Sequence, residues 1–72
     1  MENNIKKLRK NIGLRQEDMA KALGVTRQTI NAIENGKYSP SLELAFAISA
    51  LFELKIEEIF FWDKGGIGNE EK

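Results

Sequence analysis

A chain of 72 residues is enough for one domain, and folding at this size removes only about 60% of the unfolded chain's surface from water. It has no cysteine and no histidine, which excludes disulfides and thiolate metal sites along with the commonest general base and metal ligand. Stability must therefore come from a compact apolar core, from self-association, or from both. The formal net charge of zero hides a polarity. Residues 1–40 carry eight basic side chains against four acidic ones, and residues 41–72 carry three against seven. Such asymmetry marks a polyanion-facing end or a chance scatter of surface charge, and composition favours neither. No apolar run approaches the roughly 20 residues of a membrane span. The opening Met1-Glu2-Asn3-Asn4 lacks the layout of a secretory signal, so a cytoplasmic protein without membrane contact is expected.

Apolar residues recur at helical spacing almost throughout, with no convincing period-2 stretch, which predicts an all-α domain. Ile5, Leu8 and Ile12 mark one face of a first helix that Gly13 ends. Met19, Ala20 and Leu23 mark a second, starting near Gln16 and stopped by Gly24. Thr26 sits where an N-cap belongs, and the third helix runs through Ile30 and Ile33 to Asn35, closed by Gly36. A short loop with Lys37, Tyr38 and Ser39 follows. Pro40 then fits the first position of a fourth helix capped by Ser39, or Ser41 is the cap. Leu42, Ala45, Ile48, Leu51 and Phe52 supply that helix's expected buried stripe. A short fifth helix carries Ile56, Ile59 and Phe60, with Glu57 and Glu58 in its first turn, where the helix dipole favours anions. Residues 64–72 read as a flexible tail, and Gly65-Gly66-Ile67-Gly68 within it lacks the strand and the Gly-Lys-Ser/Thr ending of a phosphate loop.

The segment from Gln16 to Asn35 carries the functional argument. Two helices joined by a three- or four-residue turn containing glycine can cross steeply only if their contact is small, and Ala20 and Gly24 supply that contact and that turn. At roughly 100° per residue, Ile30 and Ile33 lie about 60° apart and point inward. Arg27, Gln28, Asn31, Ala32 and Asn35 then fill an outer arc of about 140°. That arc holds one guanidinium, three amides and a methyl. Arginine pairs bidentately with guanine, asparagine and glutamine with adenine, and a small apolar side chain can meet the thymine methyl. A merely solvated face would more usually carry glutamate and lysine, and asparagine inside a helix has a cost that packing does not explain.

Taken together, these residues resemble the XRE-type helix-turn-helix family of phage-repressor and Cro-like transcriptional regulators. The similarity runs from about Ile5 to Phe60 and includes Ile33-Glu34-Asn35-Gly36-Lys37 and Ser39-Pro40-Ser41-Leu42-Glu43. It implies a compact five-helix, phage-repressor-like DNA-binding domain over residues 1–63, with the motif formed by helices 2 and 3. It also implies that helix 3 enters the major groove of double-stranded DNA, as one half of a homodimer on a palindromic operator. By position, Arg27, Gln28, Asn31 and Ala32 fall where family members read bases. Gln16 falls where the family contacts a phosphate, and Asn35, Lys37 and Tyr38 fall in its second backbone-contacting loop. Arg9 and Glu34 match an internal ion pair of phage repressors, which keeps Arg9 off the DNA list. Two departures stand out. Arg15 replaces a Thr or Ser cap, a loss typically of about 1 kcal/mol that Glu17 and Asp18 partly offset, and Arg15 is itself a candidate phosphate contact. Glu53-Leu54-Lys55 replaces a frequent Gly-Val-Ser, leaving the placement of the last helix open.

Phe60, Phe61 and Trp62 cannot all face inward, and Phe61 and Trp62 are the expected dimer surface. The alternative is that Phe60 joins the core and Trp62 covers its edge. Three serines without a histidine cannot form a Ser-His-Asp triad, so no enzyme is expected, nor any cofactor, metal or small-molecule effector. The expected function is sequence-specific DNA binding by a transcriptional repressor. The rival is a protein-interaction module, an antitoxin or repressor antagonist that keeps the fold. Net neutrality favours the rival; the polar outer arc of helix 3 argues against it.

Overall fold

The computed structural model describes residues 1–62, so the tail expected at 64–72 lies outside the described residues. Five helices follow in order: α1 (Ile5–Asn11), α2 (Gln16–Leu23), α3 (Arg27–Glu34), α4 (Leu42–Phe52) and α5 (Ile56–Ile59). Each gives at least one large apolar side chain to a common centre, and α3 gives two. Ile5, Met19, Ile30, Ile33, Ile48 and Ile59 are almost completely buried, and Leu8, Leu14, Leu23, Val25, Leu44 and Leu51 pack around them. Full burial of such a side chain is worth about 1.5–3 kcal/mol, which α3 and α5 need. At eight and four residues, both fall short of the roughly 12–15 at which an isolated helix begins to hold.

A two-stranded antiparallel ribbon, β1 (Glu2–Asn3) with β2 (Phe60–Phe61), ties the start of the chain to the end of α5. Strands of two residues are too short to show an alternating pattern, which is why the sequence pointed to helices alone. Phe60, expected on the fifth helix, is therefore extended (φ −110°, ψ 139°), yet its ring is buried while Phe61 on the next residue faces out. The strand's side-chain alternation, in place of a helical turn, separates the two rings.

Two other expectations change. Ile12 lies beyond the last turn of α1 and is 62% exposed; its place on the inner face is taken by Arg9. Leu42, at the first position of α4, is 69% exposed, so the buried stripe of that helix is Ala45 and Ile48 flanked by Leu44, Leu51 and Phe52. Of the two caps considered for α4, Ser41 is the one used: its hydroxyl accepts the Leu44 amide at 3.1 Å. Among the described residues no helix is long and apolar enough to cross a membrane.

Candidate nucleic-acid interface

The turn between α2 and α3 follows from its residues. Gly24 takes the left-handed conformation at φ 72°, which a Cβ would strain. The next amide, Val25, reaches back to the Ala20 carbonyl at 3.0 Å, so the free carbonyls at the end of α2 are satisfied within the turn. Val25 then packs against the core, and Thr26 starts α3 as expected. Its Oγ1 accepts the Thr29 amide at 3.1 Å and lies 2.9 Å from the Thr29 hydroxyl. The far end of α3 closes the same way: Gly36 and Lys37 donate to the carbonyls of Ile33 and Ala32 at 3.0 and 2.9 Å. This turn carries Lys37 and Tyr38 out into solvent. The helix itself stops at Glu34, with Asn35 as its C-cap.

With Ile30 and Ile33 in the core, Arg27, Gln28, Asn31 and Asn35 stand exposed on the opposite side of α3. Ala32, expected in the same arc, is half-buried and presents only part of its methyl. Asn35 Nδ2 donates to Asn31 Oδ1 at 3.2 Å, one turn back, so the two amides hold each other's orientation and leave Asn31 Nδ2 pointing to solvent partners. The face is thus polar and braced.

The edge of the face is organised by Glu34. Arg9 approaches it with both Nε (2.7 Å) and Nη2 (3.2 Å), and donates Nη1 to the Leu14 carbonyl at 2.9 Å. This is the internal ion pair that the resemblance implied, nearly buried on both sides. Gln16 Nε2 donates to the same carboxylate at 3.0 Å. The residue expected at a phosphate is therefore anchored by one amide hydrogen and has the other to offer. Sequence reading did not reveal this third partner, because nothing in local spacing links the start of α2 to the end of α3.

Arg15 precedes α2 without capping it through its side chain; instead its backbone amide donates to Asp18 Oδ2 at 3.1 Å. Its guanidinium bonds both oxygens of Asp18 (3.1 and 3.2 Å) and sits 3.3 Å from Glu17. These side-chain bonds, then the backbone one, hold the Asp18 carboxyl below its usual range, and the same pairing raises Arg15. Asp18 thus engages two of the guanidinium's donors and Glu17 lies against a third nitrogen, so a phosphate would have to share this cation with two carboxylates.

Sequence reading also passed over Asn3. Its side chain donates to the Ile33 carbonyl at 2.9 Å and accepts from the Ile5 amide at 3.1 Å, joining the end of α3 to the start of α1. The Met1 ammonium donates to the Gly36 carbonyl at 3.3 Å. The first residues of the chain thereby brace the loop that follows α3. Among the described residues no group of acidic side chains could hold a metal ion.

A helix held by its inner isoleucines, capped at both ends and presenting amides and a guanidinium, defines a helix-turn-helix DNA-binding domain. The helix-turn-helix family matches residues 5–59. An HTH-type transcriptional regulator of Methanocaldococcus jannaschii is 57% identical over 63 residues, covering 88% of this chain and 96% of its own. The HTH-type regulator YgzD of Bacillus subtilis is 45% identical over 64 residues, covering 89% and 97%. Among solved structures, the restriction-modification controller protein C.AhdI of Aeromonas hydrophila superposes with a TM-score of 0.70 at 27% identity, covering 78% of this chain and 85% of that one. A transcriptional regulator of Listeria innocua shares the fold with a TM-score of 0.73 at 20% identity, covering 99% and 75%. The chain belongs to the XRE-type helix-turn-helix family of DNA-binding transcriptional regulators, a family of regulators and not of enzymes.

Proposed function

We propose that this regulator is a sequence-specific cytoplasmic repressor that reads the major groove with α3, as a homodimer on a palindromic operator. The observation that carries the reading is the exposed row Arg27, Gln28 and Asn31 on a helix whose other face is locked in the core. These three side chains, with the Ala32 methyl, discriminate bases. Arg15, Gln16, Asn35, Lys37 and Tyr38 position the domain on the phosphates, a role that fixes register without reading sequence. Phe61 and Trp62 are solvent-exposed and serve the dimer contact. Repression asks for nothing beyond this, since a domain seated over a promoter blocks polymerase by occupancy. A docking module for another protein would carry a more apolar α3 face.

In vitro selection of bound DNA, followed by binding isotherms, tests the proposal. Arg27→Ala should cost about 1–3 kcal/mol on the selected site and relax preference at one base pair. Equal weakening on selected and random DNA would remove Arg27 from the base readers. Failure of selection to enrich any site, with a stable non-self protein partner on pull-down, would favour the interaction-module reading.

A further inference from the structure

An open notch of about 470 Å³ lies beside the start of α3, walled by α1 and by the first turn of α2. Lys6, Arg9, Lys10, Arg15 and Arg27 all line it, together with Gln16 and a single carboxylate, Glu17, which is itself paired with Arg15. Five cations at one hollow repel one another unless something neutralises them. Two are neutralised internally: Arg9 by Glu34, and Arg15 by Asp18 and Glu17. Lys6, Lys10 and Arg27 make no ion pair among the described residues. Lys6 and Lys10 stand four apart on α1, the spacing at which like charges on a helix oppose each other. That arrangement works against the fold, and it is relieved by an anion placed between them.

We propose that the notch seats the sugar-phosphate backbone of the DNA strand flanking the groove that α3 enters, with Lys6 and Lys10 as its neutralising cations. The proposal rests on the DNA-binding reading above and enlarges its footprint onto α1, a helix to which no contact has so far been assigned. A phosphodiester fits better than a carboxylate-bearing partner. It presents a repeating row of single negative charges, and with Glu17 occupied by Arg15 the notch offers a row of donors: Lys6 and Lys10 on α1, the second amide hydrogen of Gln16, and Arg27 at the boundary with the base-reading arc. Arg27 therefore marks where backbone contact passes into base contact.

The test compares binding isotherms of the full chain on a selected duplex across a salt series. Lys6→Gln/Lys10→Gln is set against Lys7→Gln/Lys55→Gln, an equal charge change at exposed lysines outside the notch. Each neutralised phosphate contributes about 0.9 to the slope of log K against log salt, so the notch variant should lose about 1.8. Between 50 and 200 mM salt its affinity should then fall about tenfold less than the wild type's. Its preference for selected over random DNA should stay unchanged, and trimming the duplex flanks should weaken the wild type but not the variant. An unchanged slope in the notch variant overturns the proposal. So does an equal loss in the control variant, which would indicate a diffuse field and no seat. Equally notch-dependent capture of single-stranded RNA or polyglutamate would overturn the commitment to duplex DNA. If the wild type binds no duplex at all, the DNA reading itself fails, an outcome distinct from wild-type binding with no notch effect.

Discussion

Glu34 shows how one carboxylate can tie three helices together. It is almost fully buried, accepts two bonds from Arg9 and one from Gln16, and so joins α1, α2 and the end of α3. A buried pair is weak evidence for stability, because desolvation of both charges consumes most of their attraction, but breaking it by removing one partner is costly. Arg9→Met should therefore destabilise the fold by about 3–5 kcal/mol, since Glu34 stays buried without its cation. Arg9→Met combined with Glu34→Leu should recover a large part of that loss. Urea unfolding of the single and double variants checks this. A double variant no more stable than the single would mean that the bonds to Leu14 and Gln16, and not the charges, carry the effect.

Among the elements, the helix ends decide the geometry. α1, α2 and α3 each end with a glycine in the left-handed region and a following amide that reaches back five residues. α4 ends with the same hydrogen bonds, Glu53 to Ala50 at 3.3 Å and Leu54 to Ser49 at 3.1 Å, yet the left-handed residue is Glu53 at φ 56°. The Ser49 hydroxyl donates to the Leu54 carbonyl and adds a further tie across the turn. The departure seen in Glu53-Leu54-Lys55 thus changes the residue and keeps the turn, and α5 follows with the Lys55 amide held by Glu58 at 2.8 Å. A side chain in this conformation costs about 1–2 kcal/mol, whereas glycine adds about 0.4–1 kcal/mol of chain entropy to be lost on folding. Glu53→Gly should accordingly stabilise the domain by up to about 1 kcal/mol, read as a higher thermal midpoint. A lowered midpoint would show that the Glu53 side chain contributes more than its backbone strain costs.

For the whole molecule, exposed apolar side chains gather along α4 and β2. Leu42 and Phe46 lie one turn apart on α4 at 69% and 58% exposure, and Phe61 in β2 and Trp62 just after it stand at 44% and 63%. Met1, Ile56 and Phe60 line the hollows between Leu42 and the two aromatic residues, so the strip is continuous. Patches of this kind mark contact sites on small soluble domains, and a second copy is the partner that a homodimeric repressor needs. If the proposed homodimer forms through Phe61 and Trp62, its contact extends onto α4. Leu42→Asp/Phe46→Asp should convert a dimer to a monomer in sedimentation. Trp62 is the sole tryptophan, and its emission should shift to the red on dilution of the wild type and not of the variant. A wild type that sediments as a monomer at every concentration would remove the homodimer.

How much was legible from the residues divides along a physical line. Local order could be read directly: helical periodicity, the glycine after each of the first three helices, the Thr26 cap, and the division of α3 into Ile30 and Ile33 inside and Arg27, Gln28 and Asn31 outside. These depend on dihedral preferences and on a period of 3.6 residues, which belong to neighbours in the chain. What only the tertiary structure decided depends on residues far apart in sequence. The pairing of Glu2 with Phe61, the Asn3 clasp on Ile33, the third partner of Glu34, and the exposure of Leu42 and Ile12 are all of this kind. An apolar residue at helical spacing faces the core only if another element arrives to cover it. For Leu42 and Phe46 the chain supplies no such cover among the described residues, and the helix that reads as core-facing at its start is left as surface.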